Sequence, residues 1–218
     1  MALIPLEKKL KKRMHKNIAL AQDIIVIELY NNFPDAITHG GTGIWRCYGS
    51  NRFSEDIDVS INPKYKEQKR IESFLSSLRR RGFTVKKFKL SNNSIFSKFS
   101  YLNVVVSFEA LFKQIKNFIT KPFEMYDGTF ITVYTLSPED TIAEKVLAYK
   151  KRGKVRDLYD IYFLLRFVET KEKIETSLKK LLKDFKQPVD VKDLKVLIIL
   201  GAIPSIDDML NEVRKWAR

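Results

Sequence analysis

The segment His39-Gly40-Gly41-Thr42, followed a short helix later by Arg52-Phe53-Ser54-Glu55-Asp56-Ile57-Asp58-Val59, decides how this chain folds. Ile57, Val59 and Ile61 alternate with Asp56, Asp58 and Ser60, the period-two pattern of a half-buried strand. On such a strand Asp56 and Asp58 point to one face, so both carboxylates reach one hard cation through oxygen. Like charges that close repel, and a Mg²⁺ (or Mn²⁺) ion shared with substrate phosphates offsets the repulsion. Gly40 and Gly41 carry no side chains and let backbone N–H groups approach a phosphate; a helix starting at Thr42 adds its positive end. Taken singly, the acids read as a solvated strand edge and the glycines as a plain turn. Their order, strand, glycine pair, helix and acidic strand inside a basic chain, points instead to a triphosphate cradle.

Working outward, apolar residues recur at helical spacing through Leu10, Met14, Ile18, Ala21, Ile25 and Leu29, predicting one long or two short helices from Leu6 to about Asn32. Pro34 and Asp35 stop them, and Ala36 to His39 is a strand. Thr42 to Tyr48 is a helix ended by Gly49. Tyr65 to Arg81 reads as a helix terminated by Gly82, and three β-rich runs follow: Phe83 to Leu90, Phe96 to Phe108, and Phe130 to Leu136 after an Asp127-Gly128 turn. Ser137-Pro138-Glu139-Asp140 has the layout of a helix start. Everything beyond reads helical, with breaks near Gly153, Pro188, Gly201 and Pro204. The expectation is a mixed α/β domain over residues 1–136 and a helical domain over 137–218.

The 218 residues are 44% hydrophobic, enough to bury a full core, and no run approaches the roughly 18 apolar residues of a membrane span. The first residues lack the apolar core of a signal peptide, and the single cysteine, Cys47, cannot close an internal disulfide, so a cytoplasmic protein with no membrane partner is expected. A small hydrophobe is the expected role of Cys47, with a catalytic thiol the alternative. A net charge of +14 attracts polyanions such as RNA, DNA or nucleotides. The excess lies in clusters at Lys8–Lys16, Lys150–Arg156 and Lys179–Lys186, each of which also reads as the solvated face of an amphipathic helix.

The glycine pair and the paired-carboxylate strand resemble the signature of the nucleotidyltransferase superfamily related to DNA polymerase β. More narrowly, Gly40-Gly41-Thr42 with Arg52 to Asp58 is similar to the AbiEii/AbiGii toxin family. A second block supports the narrower match: Ser137-Pro138-Glu139 through Glu144-Lys145, then Lys154-Val155-Arg156-Asp157-Leu158-Tyr159-Asp160, resembles the family's Lys and Arg-Asp-x-x-Asp motifs. The resemblance runs from about Gln22 to Phe167. It implies an α/β (α+β) fold, a polymerase-β-like core with a mixed sheet followed by a helical C-terminal domain, and a cleft for nucleotide and metal. Gly40, Gly41 and Thr42 are then expected to cradle the β- and γ-phosphates, with Arg52 and Ser54 in the nucleotide-binding set. Asp56 and Asp58 bind Mg²⁺, Lys145 contacts the triphosphate, and Asp157 activates the incoming hydroxyl or orients Lys145. The implied reaction moves a nucleoside monophosphate from a nucleoside triphosphate to an acceptor hydroxyl, an RNA (tRNA) end by family, in a toxin with a cognate antitoxin protein.

Two departures matter. Related enzymes place a third carboxylate on a neighbouring strand; here Glu109, at the expected end of the strand from Tyr101, is the sole nearby acid on the right face, so it either completes the metal site or two carboxylates suffice. His39 stands where relatives often carry Lys, and reads either as a phosphate contact or as a buried imidazole bonded to backbone. Lys145 alternatively snorkels to solvent, Asp157 caps a helix, and Asp160 pairs with Arg156 or Lys154. Tyr159, Tyr162, Phe163 and Phe167 read as core before base-stacking platform, as does Trp45. A protein-modifying nucleotidyltransferase and an inactive RNA-binding protein on the same fold are the rival functions.

Overall fold

The computed structural model describes residues 4–218. Its contacts divide the chain into two units, Met1–Gly49 with Ser54–Thr135 and Ser50–Phe53 with Leu136–Arg218. The second unit thus takes four residues, Ser50–Phe53, that sequence reading placed in the first.

In the first unit, α1 (Leu6–Lys9) and α2 (Arg13–Asn32) are followed by β1 (Ile37–His39), α3 (Gly40–Tyr48), β2 (Ile57–Ile61) and α4 (Gln68–Arg80). The strands β3 (Thr84–Leu90), β4 (Ser94–Tyr101), β5 (Val104–Phe112), β6 (Ile119–Glu124) and β7 (Phe130–Thr135) complete it. All seven strands form one mixed sheet in the order β3-β4-β5-β2-β1-β7-β6, with β1–β7 and β2–β5 parallel and the other pairs antiparallel. One face carries the core: Ile57, Val59, Ile61, Phe99, Val106 and Phe108 are buried there. Phe74 of α4 reaches that face with its ring 5.3 Å from Phe108 and 6.2 Å from Phe99, and Phe33 after α2 lies 5.8 Å from Phe74. Each such side chain contributes about 1.5–3 kcal/mol of burial, so this aromatic layer anchors both helices to the sheet.

Three differences from the expected elements have physical causes. The run Phe96 to Phe108 is a hairpin, β4 and β5, turning through Leu102 and Asn103 at φ 46° and 63°; Leu at a left-handed position disguises the turn. β6 was missed because it is the sheet's edge, polar and interrupted by Pro122, which an edge strand tolerates. Finally, α3 starts at Gly40 itself, so the glycine pair is the first turn of the helix and not a bend ahead of it.

The second unit holds α5 (Pro138–Arg152), α6 (Val155–Leu164), α7 (Glu172–Lys183), α8 (Leu194–Leu197) and α9 (Ile206–Trp216). Ser137 caps α5, accepting from the Asp140 amide at 3.1 Å, and Gly153 ends it at φ 60°. A break between α6 and α7 carries no glycine or proline; the buried Glu139 carboxylate fixes it by accepting from the Glu169 and Thr170 amides at 3.0 and 3.2 Å. Ser50–Phe53 joins this unit as a strip beside residues 197–199: Phe53 donates its amide to the Leu197 carbonyl, and Ile199 donates to Asn51, both at 2.9 Å.

Candidate active site

The first group of site residues sits where β1, α3, β2 and β5 meet in the first unit. Gly40 has φ 66°, and a Cβ there would fall 2.1 Å from Asp58 Oδ2. The Asp58 carboxylate therefore packs against the bare α-carbon of the glycine, as the sequence pattern requires. In register, His39 faces Asp58 across the antiparallel pair β1–β2, and Glu109 faces Asp58 across the parallel pair β2–β5. Glu109 is not at a strand end, because β5 runs three residues further to Phe112. Partial burial first, then the charges of Asp58 and Asp56, push the Glu109 carboxyl above the usual range. Asp56 and Glu109 are exposed and Asp58 is half-buried.

Thr42 is fully buried, and its hydroxyl donates to the Asp56 carbonyl, so the side chain shapes the entry to β2. Gln22 of α2, also buried, donates its Nε2 to the Ser54 carbonyl at 2.9 Å and lies 3.4 Å from Thr42 Oγ1. Ser54 thus contributes its carbonyl to a brace that holds the segment before Asp56. Sequence reasoning missed Gln22; the signal was a polar residue inside the Ile18, Ile25, Leu29 stripe. It missed a second brace as well, in which the buried Arg46 of α3 forms an ion pair with Asp23 of α2, whose other oxygen accepts from the Tyr126 amide at 2.7 Å. The Arg46 guanidinium lies 4.9 Å from the Trp45 ring and 4.7 Å from that of Phe123, so Trp45 is a packing residue. His39 Nε2 lies 3.2 Å from Ser60 Oγ, a side-chain partner where backbone was expected. Burial pushes the Cys47 thiol up to about 12, which removes it as a nucleophile at neutral pH.

The second group lies in the second unit. Lys145 of α5 is only 8% exposed and does not snorkel; its Nζ sits 2.7 Å from Asp160 Oδ2 and 3.7 Å from Asp157 Oδ1. Asp157 and Asp160 are three residues apart on one face of α6 and both fully buried. Each is gripped by an arginine fork. Arg52 donates Nε and Nη2 to the two oxygens of Asp160 at 2.6 and 2.8 Å, and Nη1 to the Phe53 carbonyl at 3.1 Å. Arg152 donates Nε and Nη2 to Asp157 at 2.7 and 2.6 Å. Asp160 accordingly pairs with Arg52 and Lys145, not with Arg156 or Lys154, and Lys154, not Asp157, is the cap of α6. Burial opposes ionisation of Asp160, but Arg52 and Lys145 outweigh it and hold the carboxyl below its usual range. The expected nucleotide contact Arg52 spends these donors inside the protein, a role that its place in the acidic segment did not disclose.

Along α6, Tyr159 and Phe163 are buried while Tyr162 is half-buried, consistent with packing. With Arg166 and Arg214, they line an open cavity of about 860 Å³. Among the described residues no three His, Cys, Asp or Glu side chains are drawn together tightly enough to hold a metal by themselves, and no helix is long and apolar enough to cross a membrane.

The class of protein follows from a family match: a nucleotidyltransferase. The family model described as nucleotidyl transferase AbiEii toxin, type IV TA system, matches residues 29–212, and the chain belongs to that family. Solved structures that share the fold include two from bacteria. JHP933 from Helicobacter pylori is 20% identical with a TM-score of 0.62, covering 91% of this chain and 90% of its own. MenT4, a nucleotidyltransferase toxin from Mycobacterium tuberculosis H37Rv, is 18% identical with a TM-score of 0.62, covering 92% of this chain and 81% of its own. No curated protein matches.

Proposed function

We propose that this nucleotidyltransferase moves a nucleoside monophosphate from a nucleoside triphosphate to a hydroxyl at an RNA end, tRNA being the expected acceptor, and that it does so as a toxin countered by a cognate antitoxin. The observation that carries the site assignment is the Asp58 carboxylate lodged against Gly40 and in register with Glu109. Asp56, Asp58 and Glu109 offer hard oxygen donors on one surface, where a cation would relieve the repulsion between their charges. Mg²⁺ or Mn²⁺ would take the rest of its shell from water and substrate phosphates. When bound, the ion neutralises phosphate charge and polarises the reacting oxygens.

The chain's own residues do the rest. Gly40, without a side chain, admits the Asp58 carboxylate, and the N–H groups at Gly40, Gly41 and Thr42, too early in α3 to bond within the helix, suit phosphate oxygens. Within the second unit, Lys145 keeps donors beyond its bond to Asp160, and a point charge of this kind suits a phosphate oxygen. Both oxygens of Asp157 accept from Arg152, which favours orienting Lys145 over taking the acceptor's proton. The acceptor oxygen bonds to the α-phosphorus as the bond to the β-phosphate oxygen breaks and pyrophosphate leaves.

The test incubates the protein with each labelled nucleoside triphosphate, Mg²⁺, total RNA and total protein. Label is expected in RNA, and Asp56→Ala and Asp58→Ala are expected to lower transfer by more than about 100-fold, beyond what outer residues of metal sites cost, with circular dichroism unchanged. Full activity in both variants would refute the site, and label in protein alone would refute the acceptor.

A further inference from the structure

The sheet register extends the acidic site in a direction that catalysis does not use. Glu109 of β5 faces Phe96 of β4, and Phe96 faces Lys89 of β3, so Asp58, Glu109, Phe96 and Lys89 form one row across four strands on the same face. The neighbouring row runs from Ser107 to Lys98 to Lys87. The opposite face of β4 and β5 is committed to the core through Ile95, Phe99, Val106 and Phe108, whereas Lys87, Lys89 and Lys98 are exposed and Phe96 is half-exposed. Lys87 Nζ lies 5.5 Å from the Phe96 ring centroid. Among the described residues none of these three lysines forms an ion pair with an acid.

We infer that this face of β3–β5 is a track for single-stranded nucleic acid, on which Phe96 stacks a base and Lys87, Lys89 and Lys98 neutralise successive phosphates, leading the strand's end to the Asp58–Glu109 pair. The inference rests on the proposed RNA acceptor and says where that acceptor lies. Its support is charge complementarity combined with an aromatic surface. Three unpaired ammonium groups around one ring suit a phosphodiester backbone bearing flat bases, and every base has a face to stack. Strand spacing places Phe96 about 10 Å and Lys89 about 14 Å from Asp58 across the sheet, within the span of the last few nucleotides. An acidic peptide would find the same charges but no use for a ring flanked by lysines in this order.

The experiment measures binding of a fluorescent single-stranded RNA oligonucleotide to the whole chain by anisotropy over a range of salt. K87E/K89E/K98E is expected to weaken binding by about 100-fold at low salt and to reduce the slope of log K against log salt by about 2, the share of three phosphate contacts. Phe96→Ala is expected to weaken it by roughly tenfold while leaving the slope unchanged. K180E/K183E/K186E makes the same change in net charge on and just beyond α7 and is expected to leave most of the affinity intact. Unchanged melting temperatures separate lost binding from lost folding. The track is overturned if the wild type does not bind the RNA, if both triple variants lose affinity equally, or if K87E/K89E/K98E binds like the wild type. RNA that binds through these lysines without ever gaining label supports the track and defeats the transfer reading. Label gained with an unchanged KM for RNA in K87E/K89E/K98E defeats the track and leaves transfer standing.

Discussion

At position 40 two constraints coincide: a left-handed backbone at φ 66° and an Asp58 oxygen where a side chain would begin. Gly40→Ala is expected to cost about 1–2 kcal/mol from the backbone alone and to push Asp58 aside. A displacement of about 1 Å at a reacting centre lowers turnover by about 100-fold, which a transfer assay paired with a thermal melt would register; an unchanged rate would show that Asp58 has no fixed position to lose. Asp160 makes the complementary case in the second unit. Asp160→Ala leaves Arg52 and Lys145 buried without their acceptor, an expected loss of about 3–5 kcal/mol in a denaturant melt. Because the folded carboxyl is held below its unfolded value of about 3.9, this stabilisation is complete above about pH 4 and disappears as pH falls through the depressed folded value. Melting of the wild type and Asp160→Asn across that range should show the gap between them closing only on the acid side. Of these residues, the meeting of Gly40 and Asp58 was legible from the order of strand, glycine pair, helix and acidic strand. Arg52, Asp160 and Gln22 were not, because a buried charge or amide is defined by partners remote in sequence: Arg52 and Asp160 stand 108 positions apart.

At the scale of elements, periodicity located α2 and α4, each of which buries a stripe of apolar side chains, and β2, whose Ile57, Val59 and Ile61 alternate along the strand. It failed where burial gives no pattern. β6, on the edge and polar, carries no alternation strong enough to announce a strand, and the turn joining β4 to β5 uses Leu102, a residue that ordinarily argues against a turn. That turn makes its own prediction. Replacing Leu102-Asn103 by Asn-Gly, which accepts positive φ at both positions, should stabilise the chain by about 1 kcal/mol and raise the melting temperature by about 2–4 °C. A lowered melting temperature would show that the Leu102 side chain, exposed as it is, contributes contacts worth more than the backbone strain.

For the whole molecule, the composition shift near Leu136 was readable as a change from strands to helices, but the division is not a single cut. Ser50–Phe53 belongs with the helical unit through the bonds to Leu197 and Ile199 and through Arg52. A fragment of residues 137–218 is therefore expected to lack a cooperative thermal transition and to show weak near-ultraviolet dichroism, whereas the whole chain melts sharply. A sharp transition in the fragment would mean that the helices do not need the Arg52 strip. The same strip sets a condition on synthesis. While the ribosome is still at work, Arg52 emerges early and waits for Asp160 and then for Leu197 and Ile199 to follow it. A nascent chain thus has no Arg52–Asp160–Lys145 cluster until Asp160, 108 positions after Arg52, has been translated, and a product terminated before it lacks the charge arrangement on which Lys145 depends.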